Sequence, residues 1–345
     1  MQSSSVRKII DGIYSIRVPM PDYRPSSVNA YLIKGEPRSL LVDPGLYLDI
    51  CENILRAGLA ELGVSIESVD LLITHSHGDH AGMLYRLAEP DTNVYLNSFL
   101  FEHGGSYRKY IEQLSHSVEL YAQTTYDEDI SPKRVYPFLI SRISALPVGG
   151  IHKYCHDGDT LSYGGREYIY LTTPGHCEDH CCLFSPQDGI LISGDIILAN
   201  TYPAVSDFKI KDRHLIEYFE SLKKIEALDV NVICPGHGPG FDLKPRCLMT
   251  REYHFQRLCS TMELIRPETL TASEIARRLN RKYHGRSWSS LLPYQRFTAV
   301  AENLAYINFL CECGMASSCA GPDNMLHYTC SDYDKDRLRY LCFGS

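Results

Sequence analysis

The chain lacks several features that would settle its class at once. It has no uninterrupted apolar run near the ~18 residues that a membrane-crossing helix requires. Its first residues, Met1-Gln2-Ser3-Ser4-Ser5-Val6-Arg7, carry no apolar segment of a secretory signal. It also lacks an excess of positive charge. Against 34 Lys and Arg stand 42 Asp and Glu, a net charge of −8, which argues against a protein that coats nucleic acid by electrostatics alone. Cysteine is present 13 times, but over 345 residues that is too dilute for a disulfide scaffold. Cys311, Cys313 and Cys319 have no following Cys-x-x-Cys pair, so no structural zinc spacing appears there. The expected setting is a reducing cytoplasm, with no membrane partner and with most cysteines acting as small buried apolar groups.

The remaining composition can build a core. With 44% hydrophobic and 22% charged residues, the length fits one large domain and a smaller one.

The densest chemistry lies in Ile73-Thr74-His75-Ser76-His77-Gly78-Asp79-His80. Four metal-binding side chains fall within six positions: His75, His77, Asp79 and His80. The apolar run before them, Val69-Asp70-Leu71-Leu72-Ile73, reads as a buried strand, and residues 81–88 read as the opening turns of a helix. The cluster therefore sits on the loop leaving a strand end, where α/β folds place their sites. Neutral imidazole suits zinc, iron and related ions, while carboxylate suits harder ones.

The same grammar recurs three times downstream. Thr172-Thr173-Pro174-Gly175-His176, Leu191-Ile192-Ser193-Gly194-Asp195 and Val232-Ile233-Cys234-Pro235-Gly236-His237 each end a strand-like run with small residues and one metal-binding side chain.

Together these four places resemble the metallo-β-lactamase superfamily, with its His-x-His-x-Asp-His signature, over roughly residues 8–240. The resemblance implies an αββα sandwich. It also implies that His75, His77 and His176 hold a first metal, that Asp79, His80 and His237 hold a second, and that Asp195 bridges the two. Flavodiiron relatives carry an acidic residue at the place of His77, and true lactamases usually carry Cys at the place of Asp195, so neither branch fits. Asp43, in the turn Val42-Asp43-Pro44-Gly45, matches a family element that organises the metal loop.

The implied activity is that of a dinuclear-metal hydrolase. A metal-bridging hydroxide would cleave a thioester, ester or lactone, and Asp79 would orient the water and take its proton. Zinc is the expected ion, with iron or manganese as alternatives. Tyr202, in the loop after Asp195, is a candidate donor to a substrate oxygen.

Two further readings remain beside this one. The first is a metal-dependent ribonuclease or phosphodiesterase that uses a basic C-terminal module. The second is a metal-binding sensor without fast turnover. The loops around His75, His176 and His237 contain no Lys or Arg, which favours a small acyl substrate over a nucleic-acid partner.

The domains expected are a catalytic one over residues 1–242 and a small, mainly helical, winged-helix-like one over residues 243–345. Residues 98–151 form a long excursion, with Tyr107, Tyr110, Tyr121 and Tyr126, expected to act as a lid over the pocket. A Gly-Gly hairpin is expected around Gly164 and Gly165. Helices are expected over residues 49–62, 214–228, 246–266, 275–283 and from Pro293 to near Gly314. Thr271-Ala272-Ser273-Glu274 reads as a capping box. Residues 324–342 read as short strands. Residues 251–300 hold nine Lys and Arg against four Glu. That charge fits a phosphate track, or a solvated face on a module packed against the catalytic domain or against a second copy in a homodimer.

Overall fold

The computed structural model describes residues 5–21, 25–104, 150–207, 212–279, 282–283, 286–321 and 325–344. The expected lid falls almost wholly outside these residues, as do its four tyrosines; only its two ends are described.

The first half supplies β1 (Val6–Ile10), β2 (Ile13–Pro19), β3 (Ser27–Ile33), β4 (Ser39–Val42), α1 (Asp49–Glu61), β5 (Val69–Leu72), α2 (Gly78–Ala81), α3 (Leu84–Leu87), β6 (Asn93–Asn97), α4 (Ser98–Gly104) and β7 (Ile151–Cys155). These seven strands form one sheet in the order β1-β2-β3-β4-β5-β6-β7, antiparallel up to β4 and parallel beyond it. A second sheet holds β8 (Thr160–Tyr163), β9 (Arg166–Thr172), β10 (Cys181–Ser185), β11 (Ile190–Gly194) and β12 (Val232–Pro235), in the order β12-β11-β10-β9-β8. The expected hairpin joins β8 to β9, with positive φ at both Gly164 and Gly165.

The period-two alternation of the strands assembles the layers. On β3, Ala30 and Leu32 enter the cluster under α1, whereas Tyr31 and Ile33 face the second sheet. On β10, Cys181 and Leu183 face the first sheet, whereas Cys182 and Phe184 join an outer cluster with α5 (His214–Glu226). The result is helix, sheet, sheet, helix, the αββα sandwich that the resemblance implied.

The C-terminal region adds α6 (Leu243–Ile265), α7 (Ala272–Leu279), α8 (Pro293–Glu312) and α9 (Lys335–Phe343). Short strands accompany them: β13 (Leu270–Thr271), β14 (Lys282–Tyr283), β15 (Arg286–Ser287), β16 (Ala316–Ala320) and β17 (Leu326–Cys330). These helices do not form a core of their own. Phe255, Leu258, Val300, Leu304 and Leu338 belong to the same cluster as Leu171, Leu215 and Leu222 of the sandwich.

Three local expectations need correction. The helix expected over residues 275–283 ends at Leu279, and Lys282–Tyr283 pairs as β14. Residues 335–343 are helical, not strand-like, because Asp334 caps the N-terminus by accepting from Arg337 N and Gly344 turns left-handed at the other end. The helix expected over residues 81–88 is broken into α2 and α3. At the break Met83 N donates to Gly45 O at 2.8 Å, which ties the metal loop to the turn after β4. No helix among the described residues is long and apolar enough to cross a membrane.

Candidate metal centre

All seven candidate ligands leave strand ends. His75 and His77 follow β5, while Asp79 and His80 lie in the single turn of α2. His176 follows β9, Asp195 follows β11 and His237 follows β12. Because β10 runs antiparallel to both β9 and β11, and β12 runs parallel to β11, these three strands point the same way and deliver their loops to one edge. Hydrogen bonds sew that edge to the first sheet. Cys181 N donates to Thr74 O at 2.8 Å, Asn29 N to Gly236 O at 2.8 Å, and Tyr31 OH to Pro235 O at 2.8 Å.

The first group is His75, His77 and His176. Thr74 Oγ1 donates to Asp43 Oδ2 at 2.8 Å, so it accepts from His75 Nδ1 at 3.0 Å. His176 Nδ1 donates to Ala204 O at 2.8 Å. Both rings therefore turn an Nε2 lone pair inward. Those two nitrogens lie 2.9 and 3.1 Å from His77 Nδ1. One ring proton on His77 can serve only one of them, so three nitrogens converge with too few protons to pair them.

The second group is Asp79, His80 and His237, whose ligand atoms lie within 4.8 Å of one another. His80 Nδ1 meets Asp43 Oδ2 at 2.8 Å, and His237 Nδ1 meets Ser27 O at 2.7 Å. Their Nε2 atoms again face inward. His237 Nε2 lies 3.3 Å from Asp79 Oδ2 and 3.3 Å from Asp195 Oδ2. Asp195 also groups with His75 and His176 within 4.8 Å, so it belongs to both clusters.

These donors fit divalent cations. His80 Nε2 and Asp195 Oδ1 are buried without a hydrogen-bond partner, a costly state unless something electropositive lies between them. Space is kept for it: a Cβ on Gly236 would come within 2.3 Å of Asp195 Oδ1 and 2.7 Å of His80 Cε1. Burial drives His75, His77 and His176 towards the neutral, ligating form, with His77 lowered to about 3. Around the second group, burial opposes ionisation of Asp79 and Asp195, but His80 and His237 outweigh it and hold both carboxylates well below their usual range. In return His237 is pushed up to about 10: burial opposes this, and Asp195 chiefly overcomes it. The centre demands positive charge, and imidazole with carboxylate is a donor set that zinc, iron or manganese accepts.

Asp43 sits where the resemblance placed it. It is 1% exposed, has a positive φ of 54°, and accepts from Thr74 N at 2.8 Å as well as from Thr74 Oγ1 and His80. The ring of Tyr202, the expected substrate donor, stacks on Tyr253 at 4.0 Å and 5°, with the Arg246 guanidinium 4.4 Å over it.

One residue was missed. His180 reads in the sequence as part of the strand that follows. It is fully buried, and its Nε2 accepts from the backbone N–H of Asp195 at 3.1 Å. The ring proton is then on Nδ1, which donates to Thr173 Oγ1 at 2.8 Å. Gly194 is a glycine for the same reason: it has φ 48°, and a Cβ there would stand 2.7 Å from His180 Nε2.

The profile of the Metallo-beta-lactamase superfamily matches residues 23–237. A probable metallo-hydrolase of Bacillus subtilis is 27% identical over 243 residues, which cover 66% of this chain and 72% of that protein. The acyl-coenzyme A thioesterase of Gallus gallus is 27% identical over 219 residues, 61% of this chain and 72% of that one. A crystal structure of a metallo-beta-lactamase family protein from Thermus thermophilus superposes with a TM-score of 0.77 at 25% identity, over 94% of this chain and 100% of that one.

Proposed function

The chain belongs to the metallo-beta-lactamase superfamily, and from that membership we propose that it is a dinuclear-metal hydrolase of small acyl substrates, thioesters first and esters or lactones beside them. The observation that carries this reading is the pair of clusters sharing Asp195. His75, His77 and His176 would hold one ion and Asp79, His80 and His237 the other, with zinc the expected metal. When bound, such ions supply Lewis acidity and bring the pKa of water towards neutrality.

The rest is the work of the chain. Asp79 lies beside His237, its Oδ2 3.3 Å from Nε2, and its carboxylate would orient the attacking water and take its proton. Asp43 and Ala204 fix the outward nitrogens of His80 and His176, so neither ring has to reorganise.

Carbonyl chemistry is favoured over phosphoryl chemistry on two grounds. The loops of the centre carry no Lys or Arg, and on the basic helix α7 Arg278 is paired with Glu268. The likeness to an acyl-coenzyme A thioesterase points the same way.

The test is paired. Metal-loaded protein is assayed on acyl-coenzyme A and aryl esters, and on a short single-stranded RNA, at low and high salt. Acyl turnover that falls on the order of 10²-fold or more in Asp79→Asn is expected. Salt-sensitive RNA cleavage without acyl turnover, abolished by His77→Ala, would replace this reading with a nuclease.

A further inference from the structure

We propose that Arg246 is a positioning residue for the metal centre, and that through it the C-terminal helices form part of the active-site scaffold. The proposal rests on the reading of the centre given above. Its starting point is His176, whose Nδ1 donates to Ala204 O. That bond selects the tautomer and fixes the ring plane, so Nε2 points into the first cluster. Ala204 belongs to a stretch, residues 198–207, with neither helix nor strand to hold it. The direction of its carbonyl therefore depends on what pins the stretch from outside.

The pins come from the C-terminal helices. At the near end, Arg246 of α6 donates from Nε to Leu198 O at 2.6 Å and from Nη2 to Thr201 O at 2.6 Å. Its guanidinium also covers the Tyr202 ring, which stacks on Tyr253 of the same helix. At the far end, Asp207 N donates to Ala301 O of α8 at 3.1 Å, and Asp207 Oδ2 accepts from Asn308 of α8 at 2.6 Å. Ala204 lies between the two anchors. Arg246 is 7% exposed, and its planar fork serves two carbonyls at once. A lysine has one point charge and cannot reproduce both bonds.

Sequence alone left this module as either a phosphate track or a face packed against the catalytic domain or a second copy. These contacts assign it a different task, that of clamping the loop that orients a ligand histidine. The competing account is that Arg246 only stabilises the fold, and Arg251 separates the two. It lies on the same helix, is equally buried at 7%, and pairs with Glu226 at 2.5 Å instead of touching the loop.

The experiment compares wild type, Arg246→Met, Arg246→Lys and Arg251→Met by chelator competition for zinc, by the absorption of the cobalt-substituted protein, and by thermal unfolding. Arg246→Met should hold the zinc of the His75, His77 and His176 cluster about tenfold or more less tightly, with altered cobalt absorption. Arg246→Lys should recover only part of this. Arg251→Met should lower Tm and leave both zinc affinities at the wild-type value. If Arg246→Met does not fold, Tyr253→Leu removes the stack from the same loop and should weaken zinc in the same sense. Wild-type zinc affinities in a folded Arg246→Met or Tyr253→Leu would overturn the clamp while leaving the centre intact. A wild-type protein that takes up no metal would overturn the centre itself, and the clamp with it.

Discussion

At the scale of single residues, the seven candidate ligands were legible because each is announced locally, by an apolar strand and a sharp turn ahead of it. Asp43 was legible through the resemblance of Val42-Asp43-Pro44-Gly45 to a family element. His180 was not, because what it does depends on Asp195, which the hairpin of β10 and β11 brings back beside it. In the sequence it merely precedes the run Cys181-Cys182-Leu183-Phe184 and looks like the start of that strand. A prediction belongs to this scale. His180→Leu removes the acceptor for the Asp195 N–H inside a buried site, so kcat/KM and metal content should both fall, the former by about tenfold or more. His180→Gln offers a carbonyl oxygen at similar reach and should recover part of both. Metal analysis and steady-state kinetics on the same preparations check this. Full metal content in His180→Leu would reduce His180 to filler.

At the scale of elements, most caps and turns were readable. The Thr271 capping box forms as expected, with Thr271 N donating to Glu274 Oε2 at 2.9 Å and Glu274 N to Thr271 Oγ1 at 3.3 Å. Gly63 turns left-handed after α1, where the helix expected over residues 49–62 stops. Helix α9 was lost because the strand pattern of residues 326–330 was carried past its end, although Asp334 offered an N-cap.

What holds the loop of residues 198–207 could not be read, since Arg246, Ala301 and Asn308 are distant in sequence. A nearer contact of the same loop yields a pH prediction. His214 of α5 donates from Nδ1 to Asp207 at 2.9 Å, and its Nε2 lies 3.7 Å from Glu178. Burial opposes protonation of His214, but the hydrogen bond to Asp207 and the nearby carboxylate of Glu178 outweigh it and raise its pKa well above the ordinary value. A histidine raised on folding stabilises fully below its unfolded pKa of about 6.5 and loses that contribution as pH rises through the folded value. Urea unfolding of wild type and His214→Gln should therefore differ most near about pH 6, by on the order of 3 kcal/mol, and the gap should narrow as pH rises. A gap that widens with pH would contradict this.

At the scale of the whole molecule, the sandwich was legible through the family resemblance that the metal motifs carry, and the period-two geometry of the strands shows how its layers form. The place of the C-terminal helices was not. Helical spacing shows that a face is apolar, but not what covers it. Here the covering partner is the outer face of the second sheet with α5, and one cluster runs from Leu171 to Leu338.

A separate cluster joins the two sheets, Tyr31, Ile33 and Val42 against Tyr168, Cys181 and Leu183, and their loops reach a single edge where His75, His77, Asp79, His80, His176, Asp195 and His237 meet. The central claim is that this edge holds two metal ions sharing Asp195. The most direct measurement is the metal-to-protein ratio by elemental analysis of wild type and Asp195→Ala, after saturation with zinc, manganese or iron and removal of loose metal. The account predicts a ratio near two in wild type and losses from both sites in Asp195→Ala. A wild-type ratio that stays at one with every metal would contradict it.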